Sequence, residues 1–158
     1  MTAEAERPQG GITVVVGSHP HAELHDRPIA ARLKQDIEQA LLAMEGSGAA
    51  RPTVQILTDL WFLNDPALVA SPAVAFGTAQ TNAAVAHFAS RLPQAMVVDG
   101  TFEILLDRTA GDPRVALRGV DADSTALAVS VFVEKYLRGW IEEAARAIKA
   151  ARHDPQCL

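Results

Sequence analysis

The sequence predicts a three-layer α/β domain. It has a mixed sheet with parallel N-terminal strands, an antiparallel meander after residue 95, and a long C-terminal helix. Three observations carry that expectation. Short unbroken apolar runs flank a helical stripe in the first half of the chain, the pattern of strands buried on both faces. Turn dipeptides then separate three short strand runs with no helix between them. The chain has 158 residues, 49% hydrophobic and 21% charged, which is one domain's length with a globular balance.

Residues 1–10 are polar and read as a tail, ahead of a single domain over 11–151 and a second tail over 152–158. The β-branched run 12–16 stops at Gly17 and predicts a first strand, covered on both faces. Over 28–44, Ile29, Leu33, Ile37, Leu41 and Met44 fall on one stripe, which predicts a helix with Pro28 in its first turn. Gly46-Ser47-Gly48 ends it. A second strand over 53–58 closes on Asp59, and Asn64-Asp65-Pro66 is a turn. A third strand over 73–76 closes on Gly77 and feeds a helix from residue 81 or 82 to Leu92, stopped by Pro93. Runs 95–98, 101–106 and 114–118 are the meander, with Asp99-Gly100 as one hairpin turn and residues 109–113 as the other. A helix over 124–151, a rod of about 42 Å, ends the fold.

Composition excludes several classes. The net charge is −5 and no run of Lys or Arg exists, so nucleic acid is not an expected partner. No apolar segment approaches the roughly 20 residues that span a bilayer, and the first ten residues have no signal-peptide core. The single cysteine, Cys157, forms no internal disulfide and fits a reducing, cytoplasmic setting. Dinucleotide and phosphate-loop fingerprints are absent, as is the Gly-x-Ser-x-Gly elbow of serine hydrolases. No residue pattern names a cofactor.

Parallel sheets bind ligands outside the C-terminal ends of their strands. Three strand ends are in question here, and they bring forward Ser18, His19, Asp59, Gln80 and Asn82 as ligand-binding candidates. His19 and Asp59 are the catalytic candidates among them, an imidazole and a carboxylate suited to proton transfer. The Gly77–Asn82 segment is also a weak anion cradle, a glycine-containing loop feeding a helix N-terminus. The leading expectation is a domain binding a small molecule or anion at this edge, with catalysis open. A non-enzymatic assembly or scaffold subunit is the alternative. A metal-dependent hydrolase is the second alternative, because His19, His21 and His25 crowd one loop over 19–25 and imidazoles are zinc ligands. No tightly held structural zinc is expected, since the core is large enough without it.

Two helices carry more apolar surface than one sheet covers. Helix 81–92 is apolar all round, and helix 124–151 continues a stripe through Leu137, Trp140, Ile141, Ala144 and Ile148. They predict a homo-oligomer with Trp140 as the interface anchor.

Overall fold

A computed structural model describes residues 11–44, 51–109 and 111–152. The tails expected over 1–10 and beyond 152, the Gly46-Ser47-Gly48 loop end and Cys157 lie outside the described residues.

Six strands form one sheet in the order β2-β1-β3-β6-β5-β4. The strands are β1 (Gly11–Val16), β2 (Thr53–Thr58), β3 (Ala73–Gly77), β4 (Gln94–Val98), β5 (Phe102–Leu106) and β6 (Arg114–Gly119). Strands β2, β1, β3 and β6 run parallel, and β5 is antiparallel to both β6 and β4. The meander is therefore appended to the parallel half through β6. Every residue of β1 is buried. The strand lies between β2 and β3, so its unbroken apolar run is covered by neighbours on both edges and by helices on both faces.

Alternation along the strands sorts two cores. Ile12, Val14, Val16, Val74, Phe76 and Leu117 face α1 (Pro20–Ala43), α5 (Ala122–Lys135) and α6 (Leu137–Arg152). Val15, Ala73, Ala75 and Ala116 face α2 (Asp59–Leu63) and α4 (Ala83–Ala89), whose Phe62, Val85 and Phe88 fill the second core. A four-residue turn of helix, α3 (Pro66–Val69), links α2 to β3. The second layer rests on alanines, so α4 approaches the sheet closely. No helix among the described residues is long and apolar enough to cross a membrane.

Four sequence expectations need correction. The first helix begins at Pro20 rather than Pro28, so the histidine-rich stretch forms its first turns and not a loop. His19 is the N-cap and Pro20 occupies N1, where a missing N–H costs nothing. Pro28 sits inside the helix, and its ring leaves the Leu24 carbonyl without a helical donor. Both residues are exposed, so that carbonyl is on the solvent side of the helix.

The C-terminal helical run is present, but it is jointed at Tyr136, where φ is −123°. The break divides the run into α5, which packs on the sheet and on α1, and α6, which packs on α1 and α5. Helix α4 spans only Ala83–Ala89, and its outer face is Ala83 and Ala86, methyl groups that leave little apolar area in water.

The stripe assigned to a partner is buried within the chain. Trp140 is 2% exposed, packs edge-on against Phe132, and donates its indole N–H to Pro113 O at 3.0 Å. Trp140 is a core anchor, held between Phe132 of α5 and the Pro113 carbonyl just ahead of β6.

Candidate functional site

In an open parallel sheet the natural crevice opens where neighbouring strands send their connections opposite ways. Here that place lies between β1 and β3. The connection after β1 leads to β2 on one side, and the connection after β3 leads towards β4 on the other. The chain fills this crevice itself. A Cβ on Gly17 would sit 1.7 Å from Thr81 O, so the glycine lets the 78–82 loop cross the end of β1. The loop holds its shape through Thr78 and Thr81, whose hydroxyls lie 2.9 Å apart, each also accepting from the other's backbone N–H at 3.2 Å.

Three of the expected site residues meet here, and their polar atoms are taken up by the fold. Asp59 opens α2 and is buried. Its Oδ1 accepts from Ser18 N (3.0 Å), Ser18 Oγ (2.5 Å) and Leu60 N (2.8 Å), and its Oδ2 accepts from Ala83 N (2.7 Å). The carboxylate thus ties together the ends of β1 and β2 and the start of α4. Asn82 is fully buried and caps α4, its Oδ1 accepting from Ala84 N at 2.9 Å and Val85 N at 3.4 Å. Its Nδ2 donates to Val15 O and Phe76 O, both at 3.0 Å. The two expectations for this edge therefore meet in one contact. The backbone N–H that opens α4, Ala83 N, is taken by the Asp59 carboxylate of the same chain, and the 77–82 loop itself gives Asp59 no hydrogen bond among the described residues.

Ser18 is exposed, and its hydroxyl is spent on Asp59. His19 is exposed and points along the α1 N-terminus, with Nδ1 accepting from His21 N at 3.1 Å. That bond requires the neutral ring to carry its proton on Nε2. No hydrogen bond joins His19 to Ser18 or Asp59, so the two catalytic candidates do not form a couple. The rings of His21 and His25, one helical turn apart, lie against each other at a 41° tilt with centroids 4.4 Å apart. Among the described residues no group of three or more His, Cys, Asp or Glu is placed to hold a metal ion.

Gln80 lies elsewhere, on a groove of about 460 Å³ beyond the ends of β3 and β6. Thr78 and Gln80 form one wall, and the β4–β5 turn with Asp99 and Thr101 forms the other. On its floor Arg118 of β6 pairs with Glu103, its register partner on β5. Asp99 stands exposed at the rim. The groove therefore holds two carboxylates against one cation, and that cation is already paired. Val97, Val98 and Val120 add apolar surface around it.

Sequence reading missed the groove's other wall and floor. Glu103 and Arg118 were the available signal, single charges inside otherwise apolar strand runs, facing each other across one pair of strands.

It also missed Asp26, which is 3% exposed on the buried face of α1. Its Oδ2 lies 3.3 Å from the point where a Gly77 Cβ would stand, and Thr81 Oγ1 lies 3.4 Å from the same point. Gly77 has φ +133°, a conformation that favours glycine, and its bare Cα leaves room for the carboxyl. Burial pushes Asp26 above the ordinary carboxylate value, opposed in part by the imidazoles of His21 and His25. A helix read from Pro20 would have placed Asp26 between Ala22 and Ala30 on the core stripe, four residues from each.

On the opposite face of the sheet, His87 of α4 keeps Nε2 buried without a partner among the described residues. Burial, with Arg91 and Arg114 nearby, pushes its pKa down, so it packs as a neutral ring.

Fold and edge geometry define an open, mixed, three-layer α/β protein with a filled central crevice and a neighbouring groove. No protein-family model matches the sequence, and no curated protein or solved structure matches it.

Proposed function

We propose that this chain binds a small polar molecule, neutral or cationic, at the C-terminal strand edge. The seat is the groove between the 78–80 segment and the β4–β5 turn. The observation that carries this reading is the groove itself, with about 460 Å³ of space and convergent polar groups from Thr78, Gln80, Thr101 and the Arg118–Glu103 pair. An anion is disfavoured, since Arg118 is neutralised by Glu103 and Asp99 adds a negative rim. Binding, rather than turnover, is what these groups support: among the described residues of the groove no nucleophile and base stand within hydrogen-bond reach of each other.

Titration of the ¹⁵N-labelled protein with small polyols, amines and carboxylates tests this. Amide shifts should concentrate at 78–80, 99–103 and 118–120 with polyols or amines. Shifts confined to carboxylates, or none in these segments, would overturn it. Native mass spectrometry of the freshly purified protein reports any retained ligand and the subunit number together.

The second reading is a homo-oligomeric assembly subunit. With the α6 stripe buried, its support moves to α2, where Leu60 and Trp61 are 60% and 67% exposed side by side. A second copy of the chain is the occupant proposed. Sedimentation of wild type and Trp61→Ala separates the readings: a dimer at tens of micromolar that is lost in the variant supports assembly, and a monomeric wild type ends it.

A further inference from the structure

Two aspartates lie at the same strand edge, and the fold treats them oppositely. Asp59 accepts four hydrogen bonds. Asp26 is as deeply buried, and neither a hydrogen bond nor an ion pair reaches it among the described residues. A buried carboxylate without a donor is among the costliest groups a fold can hold, and the usual relief is to take up a proton. The stripe Asp26 occupies would accept alanine or leucine, as Ala22, Ala30 and Leu33 do.

We propose that Asp26 is a proton-binding site at the seam between α1 and the 77–82 loop, and that its charge state sets how tightly that seam closes. As the neutral acid it lies against Gly77 and beside Thr81 at little desolvation cost, and it can donate a hydrogen bond. As the anion it has no protein donor there and only a 3% exposed edge for water, so opening the seam is what would hydrate it fully. The groups facing it are few. On its own helix these are the imidazoles of His21 and His25, and both favour the anion when protonated. From β3 and the 78–82 loop come Gly77, Thr81 and Asn82, none of which titrates. Helices α5 and α6 and strands β1, β2 and β3 pack on α1, and none brings a charge that acts on Asp26.

The functional consequence rests on the groove reading above. The loop that Asp26 presses continues into Thr78, Ala79 and Gln80, one wall of the groove. Protonation would hold that wall in place, and ionisation would free it. The seat for a ligand would then loosen as pH rises.

The test needs no ligand, so its failure is distinct from failure of the groove. The side-chain ¹³C resonance of Asp26 in the wild-type protein reports its titration directly. Amide exchange of residues 77–82 reports the seam over the same pH range, against Asp26→Asn. The Asp26 midpoint should lie above the ordinary carboxylate range. Exchange at 77–82 should rise with pH more steeply than base catalysis alone gives, and Asp26→Asn should remove the excess. A midpoint within or below the ordinary range overturns the proposal, and so does an exchange profile at 77–82 that follows base catalysis alone. If Asp26→Asn fails to fold, the wild-type midpoint and exchange profile still decide.

Discussion

Asp59 and Asn82 are polar residues whose burial is fully repaid in hydrogen bonds, and that makes their chemistry testable through stability. In Asp59→Asn, one accepting oxygen becomes an NH₂ group. Either Ala83 N–H or the Ser18 pair then faces a donor instead of an acceptor. The expected loss is about 2–4 kcal/mol, the size of a buried, charge-assisted bond left unmade. Asn82→Asp does the reverse, turning two donors to Val15 O and Phe76 O into a carboxylate oxygen. It should lose about 3–5 kcal/mol at neutral pH and regain part of this in acid, where the new carboxyl protonates. Urea denaturation of both variants checks the pair. A loss under about 1 kcal/mol in either would mean that its bonds are not what closes the crevice.

At the scale of elements, α1 and α6 show how context overrides local preference. Pro28 sits mid-helix because α1 is held by its stripe of Ala22, Ala30, Leu33, Ile37 and Leu41 on the sheet. Pro28→Ala restores a donor for the Leu24 carbonyl and should stabilise the protein by about 1–3 kcal/mol, read as a raised denaturation midpoint. For α6, Trp140→Ala leaves a hole beside Phe132 and an unanswered Pro113 carbonyl. About 3–5 kcal/mol of stability should be lost. Because the indole is buried in its own chain, the variant should change the unfolding midpoint and not the subunit number, which sedimentation of the folded fraction would show.

Across the whole molecule, pH acts through groups of opposite sign. Asp26 has a raised folded pKa, so the native state holds its proton more tightly than the unfolded chain does. Its contribution is therefore most favourable in acid and declines as pH rises from the ordinary carboxylate value through the raised one. Asp107 and Asp121 are lowered by hydrogen bonds from Thr109 and Ser124, which hold a turn and the α5 N-terminus. What they contribute is present above the ordinary carboxylate value and is lost as pH falls through their folded values. Stability should consequently pass through a maximum on the mildly acidic side. Asp26→Asn should be more stable than wild type at neutral pH, with the difference vanishing in acid. Denaturation across pH 3–8 checks both, and a variant gain that persists unchanged in acid would contradict the sign given to Asp26.

The sequence by itself determined the layers. The apolar runs of β1 and β3, the i, i+4 stripe from Leu33 to Leu41, and the Asp99-Gly100 turn are local patterns, because alternation, helical period and turn chemistry act over a few residues. Local pattern also showed that strand ends would carry the polar residues at the C-terminal edge. Only tertiary structure decided what those residues do. Whether Asp59 faces a ligand or the start of α4 depends on a loop 24 residues away crossing Gly17. Whether Trp140 meets a partner or its own chain depends on the Pro113 carbonyl, 27 residues away, arriving beside its indole. The buried place of Asp26 depends on a helix that starts eight residues before its apolar stripe becomes unmistakable. Each of these turns on distant segments meeting in space. Their bonds and buried surfaces exist only once the chain has closed, so no local pattern records them.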